Sequence, residues 1–402
     1  MGRLIFINRF YWPDEPATAQ LLADLAEALC ARGHEVLVVA SRAPRAPRTE
    51  TRRGVRIERV GPFRHPGRGL GAKALNFTAF YIAASWRLAR RARRGDIIVA
   101  LTDPPLIGVG AAVAARARGA RLFHWIQDIY PEIAIALSRH RWLRVLRTPR
   151  DAAWRTADGC VTLGRDMAAC VARAGVPLPK IRVVPNWAPA GTGPVDAGII
   201  RARRAAWGWG DKFVIAYSGN LGRVHDLDPV LNAAETLRGE ADMLWAFIGE
   251  GAARSGLEAE AHRRGLANVH FYPSQPRAEL AAVLSAGDVH LVTLRADCAD
   301  YVFPSKLYGI AGVGRPVVFI GPPGCEPARL VAEHGFGWAF TAGETPALAA
   351  CLCHLRDLPA VRGRAGAAAA RFAAESGGPA AAAAAWDELL AGPEPPPRVP
   401  AT

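Results

Sequence analysis

The sequence predicts an α/β protein made of two consecutive doubly wound parallel-sheet domains facing a cleft. Three observations carry that expectation. Short β-rich apolar runs alternate with stretches of helical periodicity along most of the chain. The alternation pauses once, where residues 189–198 crowd Gly, Pro and Ala together and suggest a linker over 189–210. At 402 residues the chain exceeds one ordinary core and fits two domains of roughly 150–200 residues.

"LIFINRF" (4–10) reads as a strand, "TAQLLADLAEALCARGH" (18–34) as a helix stopped by Arg-Gly-His, and "EVLVVAS" (35–41) as a second strand. Strand, crossover helix and strand within some 40 residues form a right-handed βαβ unit. The pattern continues through "DIIVALT" (96–102), a helix at 106–118, "RLFHWI" (121–126), "GCVTLG" (159–164) and "KIRVVPNWA" (180–188). It restarts with "KFVIAYSGN" (212–220), a helix at 226–238 and "MLWAFIGEG" (243–251), followed by "NVHFYP" (268–273), "VHLVTL" (289–294) and "PVVFIG" (316–321). The expected division is 1–188, linker 189–210, 211–374, a last helix at 375–392 and a disordered tail at 393–402.

Half the residues are apolar and about a fifth are charged, as in a globular protein rather than a disordered one. No run reaches the roughly 18–20 uninterrupted apolar residues of a membrane span. "MGRLIFINRF" enters a strand directly, without a signal pattern, so a cytosolic location is expected. The seven cysteines are scattered without zinc-site spacing and read as buried, reduced thiols. Charge is uneven. Residues 1–190 hold 31 Lys and Arg against 14 Asp and Glu, an excess of 17, whereas the remainder holds 19 against 22. Such asymmetry points the first half at a polyanion, either an anionic membrane surface or nucleic acid.

Parallel sheets bind ligands beyond the carboxyl ends of their strands. In the second half, Gly219-Asn220-Leu221-Gly222-Arg223 and Gly249-Glu250-Gly251 follow two such ends. Glycine there lets backbone N–H groups approach an anion. A third segment, "VFPSKLYG" (302–309), places Ser305 at a helix start and Lys306 in its first turn. A first-turn lysine opposes the helix dipole and is ordinarily just solvated. Yet only Lys73, Lys180, Lys212 and Lys306 are lysines among 50 basic residues. A compact ammonium kept against that bias suits a phosphate contact. None of these loops is a P-loop or a dinucleotide fingerprint.

In order, these segments resemble the GT4 family of bacterial glycosyltransferases, across nearly the whole chain. "FYWPDEPATAQLLADLAEALCARGHEVLVVAS", "YSGNLGRVHDLDPVLNAAETL", "FIGEGAARSGLEAEAHRRGLANVHFYPSQPRAELAAVLSAGDVHLV" and "VFPSKLYGIAGVGRPVV" carry the likeness. The last is similar to a Pro-Ser-Lys subgroup with polysaccharide transferases of the colanic-acid and fucosamine kind. The resemblance implies a GT-B fold of two Rossmann-like domains. It also implies retaining, metal-independent transfer from a nucleotide sugar, UDP- or GDP-linked, to a saccharide acceptor.

Donor binding is then expected from Gly219, Asn220, Leu221, Gly222, His225, Gly249, Glu250, Tyr272, Val302, Phe303, Ser305 and Tyr308, with Lys306 and Arg223 as catalytic cations. The better-known family pattern has two glutamates eight residues apart, one reaching the donor ribose. Tyr301 and Gly309 occupy those positions here, so Glu326 or another acid is expected to take the ribose. The family's Arg and Lys after the first donor strand fall near Asn220 and His225. "HWIQDIYPEIAIAL" (124–137) resembles a subgroup segment that brings His124 and Asp128 to the cleft as catalytic or sugar-binding groups, with Glu132 nearby; a strand-end histidine is also a common structural residue. Trp12, Asp14 and Glu15 suit acceptor contact.

Two basic segments interleave arginine with aromatics: "ALNFTAFYIAASWRLARRARRGD" (74–96) and "RHRWLRVLRTPRDAAWR" (139–155). They suit a protein peripheral on the inner face of the cytoplasmic membrane, taking a saccharide or polyprenyl-diphosphate-linked acceptor. Segment 74–96 equally fits a helix packed on its sheet with a solvated arginine face. A nucleic-acid-binding protein is the competing class for this charge, but no such motif is present. A GT-B sugar-nucleotide epimerase is a third reading.

Overall fold

Branched and aromatic residues fill both faces of the apolar runs, which suits strands covered by helices on either side. A computed structural model describes residues 2–44, 46–63 and 70–392. The tail expected at 393–402 lies outside the described residues. In the first domain eight strands form one sheet: β1 (Leu4–Ile7), β2 (Val36–Arg42), β3 (Thr49–Arg52), β4 (Val55–Phe63), β5 (Ile97–Ala100), β6 (Arg121–Trp125), β7 (Gly159–Thr162) and β8 (Ile181–Val183). Their order is β3-β4-β2-β1-β5-β6-β7-β8, parallel except for the β3–β4 hairpin. That hairpin turns on Arg53 and Gly54, both at positive φ (47° and 85°).

The second domain holds β9 (Phe213–Ser218), β10 (Met243–Ile248), β11 (Val269–Tyr272), β12 (Val289–Thr293), β13 (Val317–Ile320) and β14 (Gly337–Phe340), ordered β11-β10-β9-β12-β13-β14 and all parallel. Every residue of β1, β9 and β10 is buried. The 189–210 segment is only partly a linker: residues Ala197–Ala206 form a helix capped by the Asp196 carboxylate, which accepts from Gly198 N–H. All seven cysteines are free, four buried and three half-buried.

Several features bind the domains. Helix Gly378–Leu390 lies on the first domain, where buried Trp386 meets Phe6 and Trp125 edge-on at 6.3 and 5.8 Å. Beside the cleft, Asp128 and Val302 form an antiparallel backbone bridge, and Ile129 N–H donates to Tyr301 O at 2.8 Å. Ile129 and Met167 from one side share a hydrophobic cluster with Cys298 and Phe303 from the other.

Candidate functional site

The carboxyl ends of both sheets face a cleft of about 770 Å³ between the domains. Switch points of doubly wound sheets place ligands in this location. The second domain contributes the turn after β9, with Ser218, Gly219, Asn220, Gly222 and His225 in the wall. The segment 302–309 contributes Val302, Phe303, Ser305, Lys306 and Gly309. From the first domain come Glu15, Gln20, Asp24, Asp128, Tyr130 and Trp187.

Lys306 opens a helix that runs to Gly312. Ser305 occupies the cap position but makes no side-chain capping bond. The Lys306 Nζ is closed off from solvent and has no hydrogen-bond partner. It sits 3.5 Å from the centroid of the Tyr217 ring, and a Cβ on Gly219 would lie 3.7 Å from it. Burial pushes its pKa well below the ordinary lysine range. A desolvated ammonium short of acceptors, pressed to a glycine turn at positive φ (124°), is a site prepared for an anion.

His225 completes this wall. A carbonyl only accepts, so the 2.6 Å contact with Thr293 O places the proton on Nδ1 and leaves Nε2 as a bare acceptor in the neutral ring. Burial first, then the nearby Lys306 charge, lowers its pKa to about 3. Asp128 is its opposite across the cleft. Burial, reinforced by the Asp103 carboxylate, raises its pKa to about 7. The native Asp128 therefore keeps its proton between the ordinary carboxylate range and pH 7, and that stabilisation is lost as pH rises to 7. Asp128→Asn is expected to gain stability over the native chain progressively from pH 4 to pH 8, measured by urea midpoints; equal midpoint shifts at pH 5 and pH 8 would contradict it.

Several expected residues are elsewhere. His124 is buried in the first domain, with Nε2 3.3 Å from Ala153 O and its ring against Gly108, and its pKa is pushed down to about 4 by burial. It does not line the cleft. Arg223 is exposed and donates to Leu137 O of the first domain at 3.0 Å, tying the domains at the rim. The Glu326 carboxylate is taken by Arg165 (2.9 Å) and Arg329 (2.6 Å) in an interdomain network with Asp166 and Glu333. It is not directed at the cleft. Glu132 is likewise buried and paired bidentately with Arg150 at 2.9 and 3.0 Å.

The second glycine loop does not reach the cleft. A Cβ on Gly249 would lie 2.1 Å from Gly219 O, so its glycine permits the backbone of the first loop to pack on it. Leu221 is buried beneath that loop, and Glu250 pairs with Arg254. The Tyr272 hydroxyl accepts from Trp209 Nε1 at 2.7 Å, away from the cleft. Tyr308 is buried and stacked on Phe372. Of the three residues expected to contact the acceptor, only Glu15 lines the cleft. Trp12 lies at the surface under the Arg52 guanidinium, and Asp14 donates its N–H to Tyr11 O.

Sequence reasoning missed Gln20, Asp24 and Trp187. The Trp187 indole N–H donates to Asp24 at 3.3 Å, and Arg277 of the second domain stands 3.7 Å from the same oxygen. Gln20 and Asp24 are four apart, hence on one helix face, and that polar pair in an apolar helix was the available signal. Among the described residues no group of three or more His, Cys, Asp or Glu side chains is placed to hold a metal ion.

The chain is similar to known proteins over most of its length. Residues 18–187 match the family described as glycosyl transferase 4-like domain, and residues 200–371 match glycosyl transferases group 1. The probable glycosyltransferase WbjE of Pseudomonas aeruginosa is 28% identical over 290 residues, 70% of this chain and 71% of that one. The putative colanic acid biosynthesis glycosyl transferase WcaI of Escherichia coli is 28% identical over 341 residues, 80% and 83% of the two chains. Among solved structures, Anabaena HepE in complex with UDP-glucose superposes with a TM-score of 0.75 at 18% identity, covering 97% of this chain and 99% of that one.

Proposed function

Because the chain belongs to the GT4-type glycosyltransferases of GT-B fold, we propose that it transfers a sugar, with retention, from a nucleoside diphosphate to a lipid-borne saccharide in polysaccharide synthesis. One observation carries the donor assignment: the buried, unpartnered Lys306 ammonium in the interdomain cleft. A diphosphate seated there would give that cation its missing partner. The reaction breaks the bond from sugar C1 to the β-phosphate oxygen and forms one to the acceptor hydroxyl oxygen. The proton of that hydroxyl passes to the departing nucleoside diphosphate. Negative charge develops on the leaving group, where a fixed cation in a dry site stabilises the transition state most.

Asn220 and Gly222 would line the diphosphate, and Gly309 leaves the ribose side of the wall without a side chain. Asp128 and Asp24, which line the cleft from the first domain, would meet sugar hydroxyls. The basic half would rest on an anionic leaflet. Exposed Trp142 and Val145 stand among Arg141, Arg144 and Arg147, and the Arg90 guanidinium lies 4.8 Å over exposed Trp86. No helix among the described residues is long and apolar enough to cross a membrane.

A thermal-shift series with UDP, GDP and their sugars tests the donor assignment. One nucleotide is expected to raise the melting temperature saturably; no shift with any nucleoside diphosphate would refute it.

A further inference from the structure

The second sheet reverses its winding once. In the order β11-β10-β9-β12-β13-β14 the chain works outward from β9 on one side and from β12 on the other. These two neighbours form the switch point at which such sheets receive ligands. One side chain lies across it. His225 follows β9, and its Nδ1–H donates at 2.6 Å to the carbonyl of Thr293, the last residue of β12. The ring also stands edge-on to Tyr217 of β9, at 5.9 Å and 78°. Turning the imidazole over would strip the Thr293 carbonyl of that donor, so the orientation of the ring is fixed.

Its other nitrogen is therefore a defined feature of the cleft wall. Among the described residues no group donates to Nε2. His225 lines the cleft beside Asn220 and Gly222. A Cβ on Gly222 would come within 3.9 Å of Cδ2, the ring carbon bonded to Nε2, so the glycine keeps this edge of the ring open. Burial first, then the Lys306 charge, holds the ring neutral. Nε2 thus presents a lone pair and no proton.

Lys306 and His225 meet the Tyr217 ring with opposite requirements. The ammonium lies over the ring face, 3.5 Å from its centroid, and calls for an anion. The bare nitrogen repels one, because a phosphate oxygen would set lone pair against lone pair. It calls for a hydrogen-bond donor instead. A nucleotide sugar supplies both, since its diphosphate carries a hydroxyl-bearing ring at each end, the ribose and the transferred sugar.

We propose that His225 selects the donor by a hydroxyl: Nε2 accepts from a ring hydroxyl next to the diphosphate that Lys306 holds. The proposal rests on the donor being a nucleotide sugar. It makes His225 a specificity residue that separates hydroxylated from deoxy donors, whereas Lys306 answers only to the negative charge.

Calorimetric titration of the full chain tests this with inorganic pyrophosphate, with UDP or GDP, and with UDP-glucose or GDP-mannose, taking from each pair the one that raises the melting temperature more. His225→Asn keeps an amide N–H near the place of Nδ1–H and deletes Nε2, whereas His225→Gln can present an amide oxygen in the place of Nε2. His225→Asn is expected to bind pyrophosphate as the native chain does and to lose about tenfold in affinity for the nucleotide sugar, the order of one hydrogen bond lost in a closed site. His225→Gln is expected to recover most of that loss. A loss already present with the nucleoside diphosphate, and absent with its 2′,3′-dideoxy form, assigns the hydroxyl to the ribose. A loss confined to the nucleotide sugar assigns it to the transferred sugar. In the native chain, the nitrogen-15 resonance of His225 Nε2 is expected to stay in the unprotonated range when the nucleotide sugar binds. A move to the protonated range would overturn the proposal by giving the histidine to the phosphate. So would equal affinities of the native chain and His225→Asn for both nucleotide probes. A native chain that binds no nucleotide at all would refute the donor reading, and this proposal with it.

Discussion

Replacing Lys306 with methionine is expected to abolish nucleotide-induced stabilisation and to lower kcat/KM by at least about 10²–10³-fold, while the ligand-free melting temperature barely changes. The asymmetry follows from the environment of Nζ. Removing a buried donor without partners relieves about 1–3 kcal/mol. Removing the cation from the Tyr217 face forfeits about 2 kcal/mol for a desolvated contact. The two nearly cancel in the empty protein. With a diphosphate present they do not, because the native ammonium then gains a charged partner in a dry site.

A pH signature accompanies this result. Burial holds the empty-site lysine well below its usual range, and an incoming diphosphate favours the charged form. Nucleotide binding therefore takes up a proton at pH values between the lowered lysine pKa of the empty site and the higher one of the occupied site, and weakens as pH rises through that window. Lys306→Met should lack that pH dependence. Calorimetry in buffers of different ionisation enthalpy measures the uptake directly. An unchanged nucleotide shift in the variant would remove Lys306 from the site.

Glu132→Ala is expected to cost about 1–3 kcal/mol, the usual penalty for leaving buried hydrogen-bond donors unsatisfied. In a chain of this size that lowers the melting temperature by roughly 1–4 °C. Arg150 would lose two acceptors and keep the Asp151 carboxylate, 2.5 Å from its Nε, as its charged partner. Its side chain is 7% exposed, it donates twice to Glu132, and its guanidinium lies 4.0 Å over Trp154. It also donates to Tyr130 O at 2.9 Å, so the pair pins the loop that presents Asp128 and Tyr130 to the cleft. Replacing both partners, Glu132→Leu with Arg150→Met, should recover most of the stability yet not the loop's position. Thermal melts of the single and double variants, read beside nucleotide binding, separate the two effects. A double variant no more stable than Glu132→Ala would contradict this account.

Much of the fold was legible because parallel strands buried on both faces leave unbroken apolar runs, as β9 and β10 do. The β3–β4 hairpin was not. Its first strand, Thr49–Arg52, alternates exposed and half-buried polar residues, and its turn is Arg-Gly instead of the usual Asn-Gly or Asp-Gly. Strand β14 escaped notice for a related reason, being four residues long with none fully buried.

Within the site, Lys306 was visible because lysine is rare in this chain. The roles expected of Glu326 and Arg223 failed on information the local sequence does not hold. Glu326 meets Arg165, 161 positions away, and Arg223 meets Leu137, 86 positions away. Gly249 looked like a phosphate contact because close backbone approach demands glycine whatever approaches, and here it is the neighbouring loop.

The returning helix Gly378–Leu390 has a consequence for protein engineering. The first lobe is assembled from two separate stretches of chain, since Trp386 fills a space lined by Phe6 and Trp125. A chimera that swaps acceptor specificity by exchanging residues 1–188 alone would set a foreign indole into that space. Recombination between such enzymes must transplant both pieces together.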